Sequence, residues 1–406
     1  MYLLPLHSYS IKENGIHKKG VGVLVGFLND RSRSFGGAWD LSYLDVHLQK
    51  ALSSKNIPPS QSGRRLITDI RNMTRAMNVN NVTRTMAYLH FFMKHPEIHW
   101  ALLAHLVSRN AGWNMTDLKG EFLPKLLSEQ EQVDYFLWLE RGNWLIFQDA
   151  FPQLLLYEAS KQANQSLFHL LPHLGVSIFM YAIWSSFWED GNRDQLTISL
   201  IINEQNYIES RIIKNPVYKK KVTDTLPFSL QDYLNLNCLV FPYRQSSEQV
   251  ELIGTVVRDF TSLEERVTIG KKLYALLFQD DERLDRITNW TNKQIHTGSR
   301  KDYWPHLFND VRESLPGRLY NPQIEGCALK EGANRLYSPR LLNAWNNVEH
   351  DHPADEEWFQ DWKDVEKLFL PFQGTDAGNI TKFHCKSLEK LSFVVFTKKL
   401  IFNRRS

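Results

Sequence analysis

The chain has 406 residues, a formal net charge of +3, and a composition that is 43% hydrophobic and 23% charged. These values are typical of a globular protein with room for one large core or two domains. The sequence contains no internal repeat and no low-complexity tract, which excludes a solenoid and a compositionally disordered chain. Most of the 12 tryptophans lie in apolar segments, which predicts aromatic-rich packing of helices.

Residues 1–56 are predicted as an irregular, basic N-terminal segment in which 21–28 forms a strand or a buried loop. Residues 1–84 contain 12 Lys and Arg against 5 Asp and Glu, which most simply indicates a solvated surface. Contact of basic residues 12–84 with nucleic acid or an anionic membrane surface is an alternative that we do not favour. The first residues lack the pattern of a secretory signal peptide.

A helical core domain is predicted over residues 57–315, because apolar residues begin to recur at helical spacing after Pro58. The first two helices are predicted at 64–77 and 82–94. Further helices are predicted at 116–127, 129–151, 154–165, 170–188, 196–213 and 229–236.

Residues 95–117 form the most informative predicted helix, since polar side chains interrupt an almost wholly apolar sequence. Such groups are costly to bury unless each finds a partner. Pro96 excludes His95 from the helix, and Gly112 predicts its end. On a helical wheel the polar residues fall into two arcs, Glu97, His105, Ser108 and Arg109 in one, and His99 and Asn110 in the other.

Two interpretations of this helix stay open. The first is a structural network in the core, in which the arginine pairs with a carboxylate and the imidazoles bond to carbonyls. The second is a site in which a histidine acts as general base and arginines hold an anion. The candidate catalytic residues are then His99, His105 and Arg109.

Metal binding is suggested by two HxxxH spacings, His95 with His99 and His169 with His173. In a continuous helix this spacing places both imidazoles on one face. Proline interrupts both pairs, so we expect no metal site, and His99 and His173 are the single residues left as candidates. The apolar segment 167–188 is predicted as a buried core helix, with a membrane span as the alternative.

The end of the core domain combines a hairpin, a capped helix and a candidate anion site. Residues 237–260 are β-leaning, and Thr261 with Glu264 predicts a capping box for a helix over 261–278. Within 296–308, Thr297 or Ser299 is predicted to cap a helix, whose free N–H groups favour an anion. The candidate ligand-binding residues are Arg109, Asn110, Asn114, His296, Ser299 and Arg300. They form one site only if residues 99–114 and 296–306 converge on a concave pocket.

Residues 316–406 are predicted as a loop followed by a C-terminal helical segment packed on the core. Ser338 is predicted as the N-cap of a helix. The sequence His-Asp-His at 350–352 can bind metal, although an acidic, solvated helix start is the favoured interpretation. The last segment, 391–405, is apolar and then basic, which predicts a strand or a docking helix.

The three cysteines, Cys238, Cys327 and Cys385, lie far apart and are odd in number. No disulfide framework or CxxC metal site follows from this spacing, which favours a reducing compartment. We therefore expect a cytoplasmic protein.

Four motifs resemble those of a known family: HPEIHWALLAHLVSRNAGWNMTDL, ERVTIGKKLYALLF, HTGSRKDYWPHLF and YSPRLLNAWNNVEHD. They are similar to the YppC-like proteins of Bacillus and its relatives, which are described as a domain of unknown function. The resemblance runs from about residue 60 to about residue 370. It implies a bacterial, mainly helical protein, and it assigns no activity, cofactor or catalytic residue.

The predicted fold class is mainly α, a multi-helix globular core with a minor β-hairpin near 237–260. The predicted function is that of a soluble helical binding or interaction protein with a buried polar network. The alternative is an enzyme or binding protein that acts on a small phosphate or carboxylate in a pocket lined by histidine and arginine.

Overall fold

A computed structural model describes residues 43–54, 58–225, 228, 238–245, 250–314, 320–354, 356–372 and 378–403. The predicted strand at 21–28, the predicted helix at 229–236 and most of the basic N-terminal segment lie outside the described residues. The mainly helical fold class is confirmed, because most described residues lie in helices and the strands are short.

The first helices are α1 (Leu44–Ser54), α2 (Gln61–Met77) and α3 (Asn81–Lys94). The side chain of Ser60 caps α2 by accepting a hydrogen bond from the N–H of Gly63. Asn80 and Thr83 form a capping box at the start of α3. Both predicted helices of this region are confirmed.

Helix α4 (His99–Asp117) is separated from α3 by the break that Pro96 predicts, and His95 is the C-cap residue of α3. The predicted end of α4 at Gly112 is wrong, because the helix continues for five more residues. The predicted helix over 116–127 is also wrong. Only a short 3-10 turn, Leu123–Lys125, forms there.

Helix α5 (Glu129–Ala163) is one helix of 35 residues where two were predicted. Pro152 lies inside it without ending it, although a proline cannot donate to the carbonyl four residues earlier. The helix ends at Asn164, which has a left-handed φ of 48°.

The apolar segment 167–188 divides into a 3-10 helix (Phe168–Leu174) and helix α6 (Ile178–Asp190). Gly175 separates them with a φ of 78°. Nearly all of α6 is buried, as the core interpretation predicts. Within the described part of the chain, no helix has the length and apolar character needed to span a bilayer. Helix α7 (Arg193–Ile208) follows, and then α8 (Pro216–Tyr218) between two π-helical turns.

The predicted hairpin is confirmed: β1 (Cys238–Arg244) pairs antiparallel with β2 (Val250–Val256), and Cys238 lies opposite Val256. Helices α9 (Leu263–Phe278) and α10 (Asp281–Lys293) come next. The N-cap of α9 is Ser262, whose side chain accepts a hydrogen bond from the N–H of Glu265. The helix therefore begins one residue later than the predicted capping box of Thr261 and Glu264 placed it. The two-residue strands β3 (Phe308–Asn309), β4 (Ile324–Glu325), β5 (Ala328–Leu329) and β6 (Leu336–Tyr337) form two small pairs.

The C-terminal part contains α11 (Leu341–Ala344), α12 (Trp362–Phe369), β7 (Gly378–Asn379) and α13 (Thr381–Asn403). Strand β7 joins β2 as the third strand of the hairpin sheet. Ser338 is not the N-cap of α11; Arg340 takes that place, and the Ser338 hydroxyl accepts a hydrogen bond from the N–H of Arg300 instead. Of the two predictions for the tail, the helix is confirmed.

Cys327 and Cys385 form a disulfide between the turn after β4 and helix α13. The spacing of the cysteines did not indicate this pair, since a separation of 58 residues carries no information on which side chains meet. The argument for a reducing compartment that rested on their spacing does not hold.

Candidate functional site

A continuous hydrogen-bond network lies between α3 and α4. The amide of Asn81 donates to the carbonyl and hydroxyl oxygens of Ser108 at 2.8 and 3.1 Å. The hydroxyl of Thr85 lies 2.7 Å from that of Ser108. His105 Nδ1 donates to the carbonyl of Thr85 at 2.7 Å, and His296 Nε2 donates to Asn81 Oδ1 at 2.8 Å. The predicted polar residues of α4 thus meet the segment at 296 inside the core.

The charge state of this network follows from its burial. Burial holds the pKa of His105 well below its usual range, with Arg109 nearby adding to the effect. Burial lowers the pKa of His296 as well. Arg109 donates to the carbonyl of Gln294 rather than to the predicted carboxylate, and its guanidinium lies 4.7 Å from the Trp290 ring centroid. Both histidines are therefore neutral inside the core.

Asn110 connects α4 to the hairpin. Its amide nitrogen donates to the carbonyl of Val240, and its Oδ1 accepts from the N–H of Val240, both at 2.8 Å. Its polar atoms are thus used within the fold.

Arg300 forms a buried ion pair with Asp117. Its Nε lies 2.9 Å from both carboxylate oxygens, and its Nη1 donates to the hydroxyl of Tyr303 at 2.6 Å. Asn114 Oδ1 accepts from Nη2 at 3.3 Å. Despite burial, Asp117 and Tyr303 raise the pKa of Arg300 above its usual range. The Ser299 hydroxyl donates to the carbonyl of Ser338 at 2.6 Å and also caps a short 3-10 turn, Arg300–Asp302. Arg300 lines a cavity of only about 40 Å³.

His99 lies apart from the other candidates. Its Nδ1 is 2.8 Å from the hydroxyl of Tyr274, which itself donates to Asp194, and its ring stacks on Phe278. Burial lowers the pKa of His99 to about 3. Among the described residues, no group of His, Cys, Asp and Glu side chains is arranged to hold a metal ion.

Gly112 marks a close approach rather than a helix end. A Cβ added there would lie 2.3 Å from Asn81 Oδ1 and 2.6 Å from His296 Nε2. We expect Gly112→Ala to lower the free energy of unfolding by about 1–3 kcal/mol, because the network must move apart. Chemical denaturation measures this.

The control for this variant is Gly142→Ala in α5, where a new Cβ meets nothing within 4 Å. Higher helix propensity predicts a gain of up to about 1 kcal/mol at that position. Equal effects at both positions would contradict the close approach.

A larger cavity, of about 990 Å³, lies between α2, α5 and the segment 347–356. We call it the α2–α5 groove. Its walls also include residues 172–175 and the end of α7. The polar side chains that line it are Arg71, Arg75, Asn78, Gln148, Asp149, His173, Arg211, Asn347, Glu349, His350, His352 and Glu356.

The arginines of the groove differ in their partners. Arg211 donates to the carbonyls of Tyr207, Ala354 and Glu356. Arg71 donates to the carbonyl of His173 at 2.7 Å. Arg75, one helical turn from Arg71, has no hydrogen bond or ion pair with any described residue. Helix α2 therefore presents two adjacent guanidinium groups without carboxylate partners.

Asp149 is the buried carboxyl of the groove. Its Oδ2 accepts from Asn203 at 2.6 Å and from Gln153 at 2.9 Å, while its buried Oδ1 has no partner among the described residues. Burial raises the pKa of Asp149 to about 7, against the opposing effect of the Asn203 hydrogen bond. This carboxyl therefore titrates near neutral pH.

Trp144 forms the apolar part of the groove wall. Its ring centroid lies 5.3 Å from that of His350 and 5.8 Å from that of His352. His350 Nε2 is 3.8 Å from Glu140 Oε1, which belongs to a buried ion pair. The groove thus unites His173 with two histidines of the predicted His-Asp-His sequence.

The sequence reasoning missed Asp149, Arg71, Arg75 and Arg211. Asp149 had a detectable signal, a carboxylate in the apolar run WLIFQDAFPQLLLY. Arg71 and Arg75 had none, because exposed arginines on an amphipathic helix are typical of a solvated face.

Comparison with known proteins places this chain in a family whose function is unknown. Residues 76–382 match the family described as "Protein of unknown function (DUF2515)". The chain is also 47% identical over 269 residues to the uncharacterized protein YppC of Bacillus subtilis (strain 168). That alignment covers 66% of this chain and 82% of the relative. No solved structure shows a significant match.

Proposed function

Because this chain belongs to the DUF2515 family of proteins of unknown function, we propose its function from its own residues: it binds a small phosphate or carboxylate anion in the α2–α5 groove. The observation that carries the proposal is the pair of guanidinium groups at Arg71 and Arg75, which line a deep polar groove without carboxylate partners.

The size and lining of the groove support a small-molecule ligand. A volume of about 990 Å³ is large enough for a compound of metabolite size. Trp144, Val79 and Pro152 supply apolar contact area, and polar side chains line much of the rest of the groove.

Three arginines against two exposed glutamates, Glu349 and Glu356, leave the groove lining with an excess of positive charge, which favours an anion. Guanidinium groups bind carboxylate and phosphate through paired hydrogen bonds. Arg71 and Arg75 are neighbours on one face of α2, so both can reach the same anionic group. Below its pKa of about 7, Asp149 is protonated, so it adds no negative charge to the groove wall.

We expect inorganic phosphate, citrate or adenosine monophosphate to raise the melting temperature, and Arg75→Gln to weaken the binding of the best of these by about tenfold or more. Arg75 makes no bond that stabilises the fold among the described residues, so its loss acts on binding. Isothermal titration calorimetry measures the affinity.

The matched control is Arg65→Gln, an exposed arginine of α2 outside the groove lining. It should leave binding unchanged. Equal weakening by both substitutions, or no response to any of the three anions, would argue against the proposal.

A further inference from the structure

Helix α13 is held to the rest of the protein along one side. Its Leu388, Leu391 and Val395 are buried in an apolar cluster with Trp304 and Phe308. The Cys327–Cys385 disulfide and a hydrogen bond of 2.6 Å between the hydroxyls of Tyr320 and Ser392 fasten the same side. The opposite side of the helix is therefore fixed in its orientation towards solvent.

That opposite side combines aromatic, aliphatic and basic side chains. Phe393 is 63% exposed, Leu400 51% and Phe383 36%. Their helical positions fall on one arc with three exposed lysines. We call this set the lysine–phenylalanine face: Lys382, Phe383, Lys386, Lys390, Phe393 and Leu400.

The face is strongly positive. Residues 381–403 contain five lysines and one acid, Glu389. The carboxylate of Glu389 accepts a hydrogen bond of 2.6 Å from the N–H of Gly326, so it is engaged with the β4–β5 turn. Lys382, Lys386 and Lys390 have no carboxylate partner among the described residues.

We propose that the lysine–phenylalanine face docks the protein on a membrane surface of anionic lipid headgroups. Exposed aromatic side chains insert at the boundary between headgroups and acyl chains, and lysines extend their ammonium groups to lipid phosphates. The attachment is peripheral, and it adds to the proposed anion binding without depending on it. A second copy of this chain is a poorer occupant, because pairing two such faces brings six lysines together.

The test is cosedimentation of the full chain with vesicles of phosphatidylcholine, alone or in an equimolar mixture with phosphatidylglycerol. We expect binding to the anionic vesicles that is at least about tenfold stronger than to the neutral ones and that falls as salt rises. Lys386→Glu with Lys390→Glu should weaken it by at least about tenfold, and Phe393→Ser should weaken it without changing net charge.

The matched control is Lys219→Glu with Lys220→Glu, two exposed lysines far from α13 in sequence. An unchanged circular dichroism melting curve establishes that each variant folds. Absence of binding to anionic vesicles, equal binding to neutral ones, or equal losses in the control would overturn the proposal. A dimer that Phe393→Ser dissociates, with no vesicle binding, would overturn it in favour of a second copy.

Discussion

We expect Glu140→Ala to lower the free energy of unfolding by about 3–5 kcal/mol, because it leaves the guanidinium of Arg84 buried without its counter-charge. Arg84 and Glu140 are 1% and 3% exposed, and Nη2 donates to Oε2 at 2.5 Å. Burial by itself would raise the pKa of Glu140, but Arg84 and His350 lower it below the usual value, so the pair is ionised. Urea denaturation of wild type and variant measures the loss.

Two controls separate this effect from a general loss of a salt bridge. Glu264→Ala removes an exposed partner of Lys367, and it should cost less than about 1 kcal/mol. Arg84→Met combined with Glu140→Leu removes both buried charges and should recover much of the loss. A Glu140→Ala cost as small as that of Glu264→Ala would contradict the buried pair.

We expect Asp149→Asn to stabilise the protein at about pH 8 by up to about 4 kcal/mol, because it removes the requirement to bury a carboxylate. The pKa of Asp149 is raised from an ordinary 3.8 to about 7 in the folded protein. Unfolded chains release this proton near pH 4, whereas the folded protein keeps it until about pH 7. The contribution of the protonated Asp149 carboxyl to the free energy of unfolding is thus fully present below about pH 4, and it is lost as the pH rises to about 7.

In the asparagine variant, stability should not fall in this way as the pH rises, because the amide is neutral. Its oxygen still accepts hydrogen bonds from Gln153 and Asn203. Melting temperatures of both proteins across this pH range measure the difference. Glu204, whose pKa burial raises to about 8, leaves a residual slope in both. Asp69→Asn, at an exposed position of α2, is the control and should change nothing. A parallel pH dependence in wild type and Asp149→Asn would be inconsistent with a buried, protonated carboxyl.

Local sequence signals predicted much of the helical frame. Pro96 placed the break between α3 and α4, and the hairpin followed from its two β-leaning runs. The polar residues of α4 also predicted a buried network, and the family resemblance is confirmed. The predicted helix end at Gly112 was wrong, because a single sequence does not distinguish a glycine that ends a helix from one that allows a close contact.

The groove and the disulfide could not be predicted in the same way. Arg71, Asp149 and residues 347–356 meet only after α2, α5 and the C-terminal segment have packed together. The same holds for Cys327 and Cys385. Side chains that meet through tertiary packing leave no periodic signal, and a single sequence does not indicate which distant segments become neighbours.

The hydrogen bonds between Asn110 and Val240 protect part of the exposed edge of the hairpin sheet. Among the described strands, β1 is the outer strand of its sheet, and the unpaired N–H and C=O groups of an outer strand can recruit a strand from another molecule. The side-chain amide of Asn110 offers one acceptor and one donor to a single residue, as a neighbouring backbone would. Asn110 of helix α4 thereby occupies the backbone groups of Val240, so that a strand from another molecule cannot pair there without displacing it.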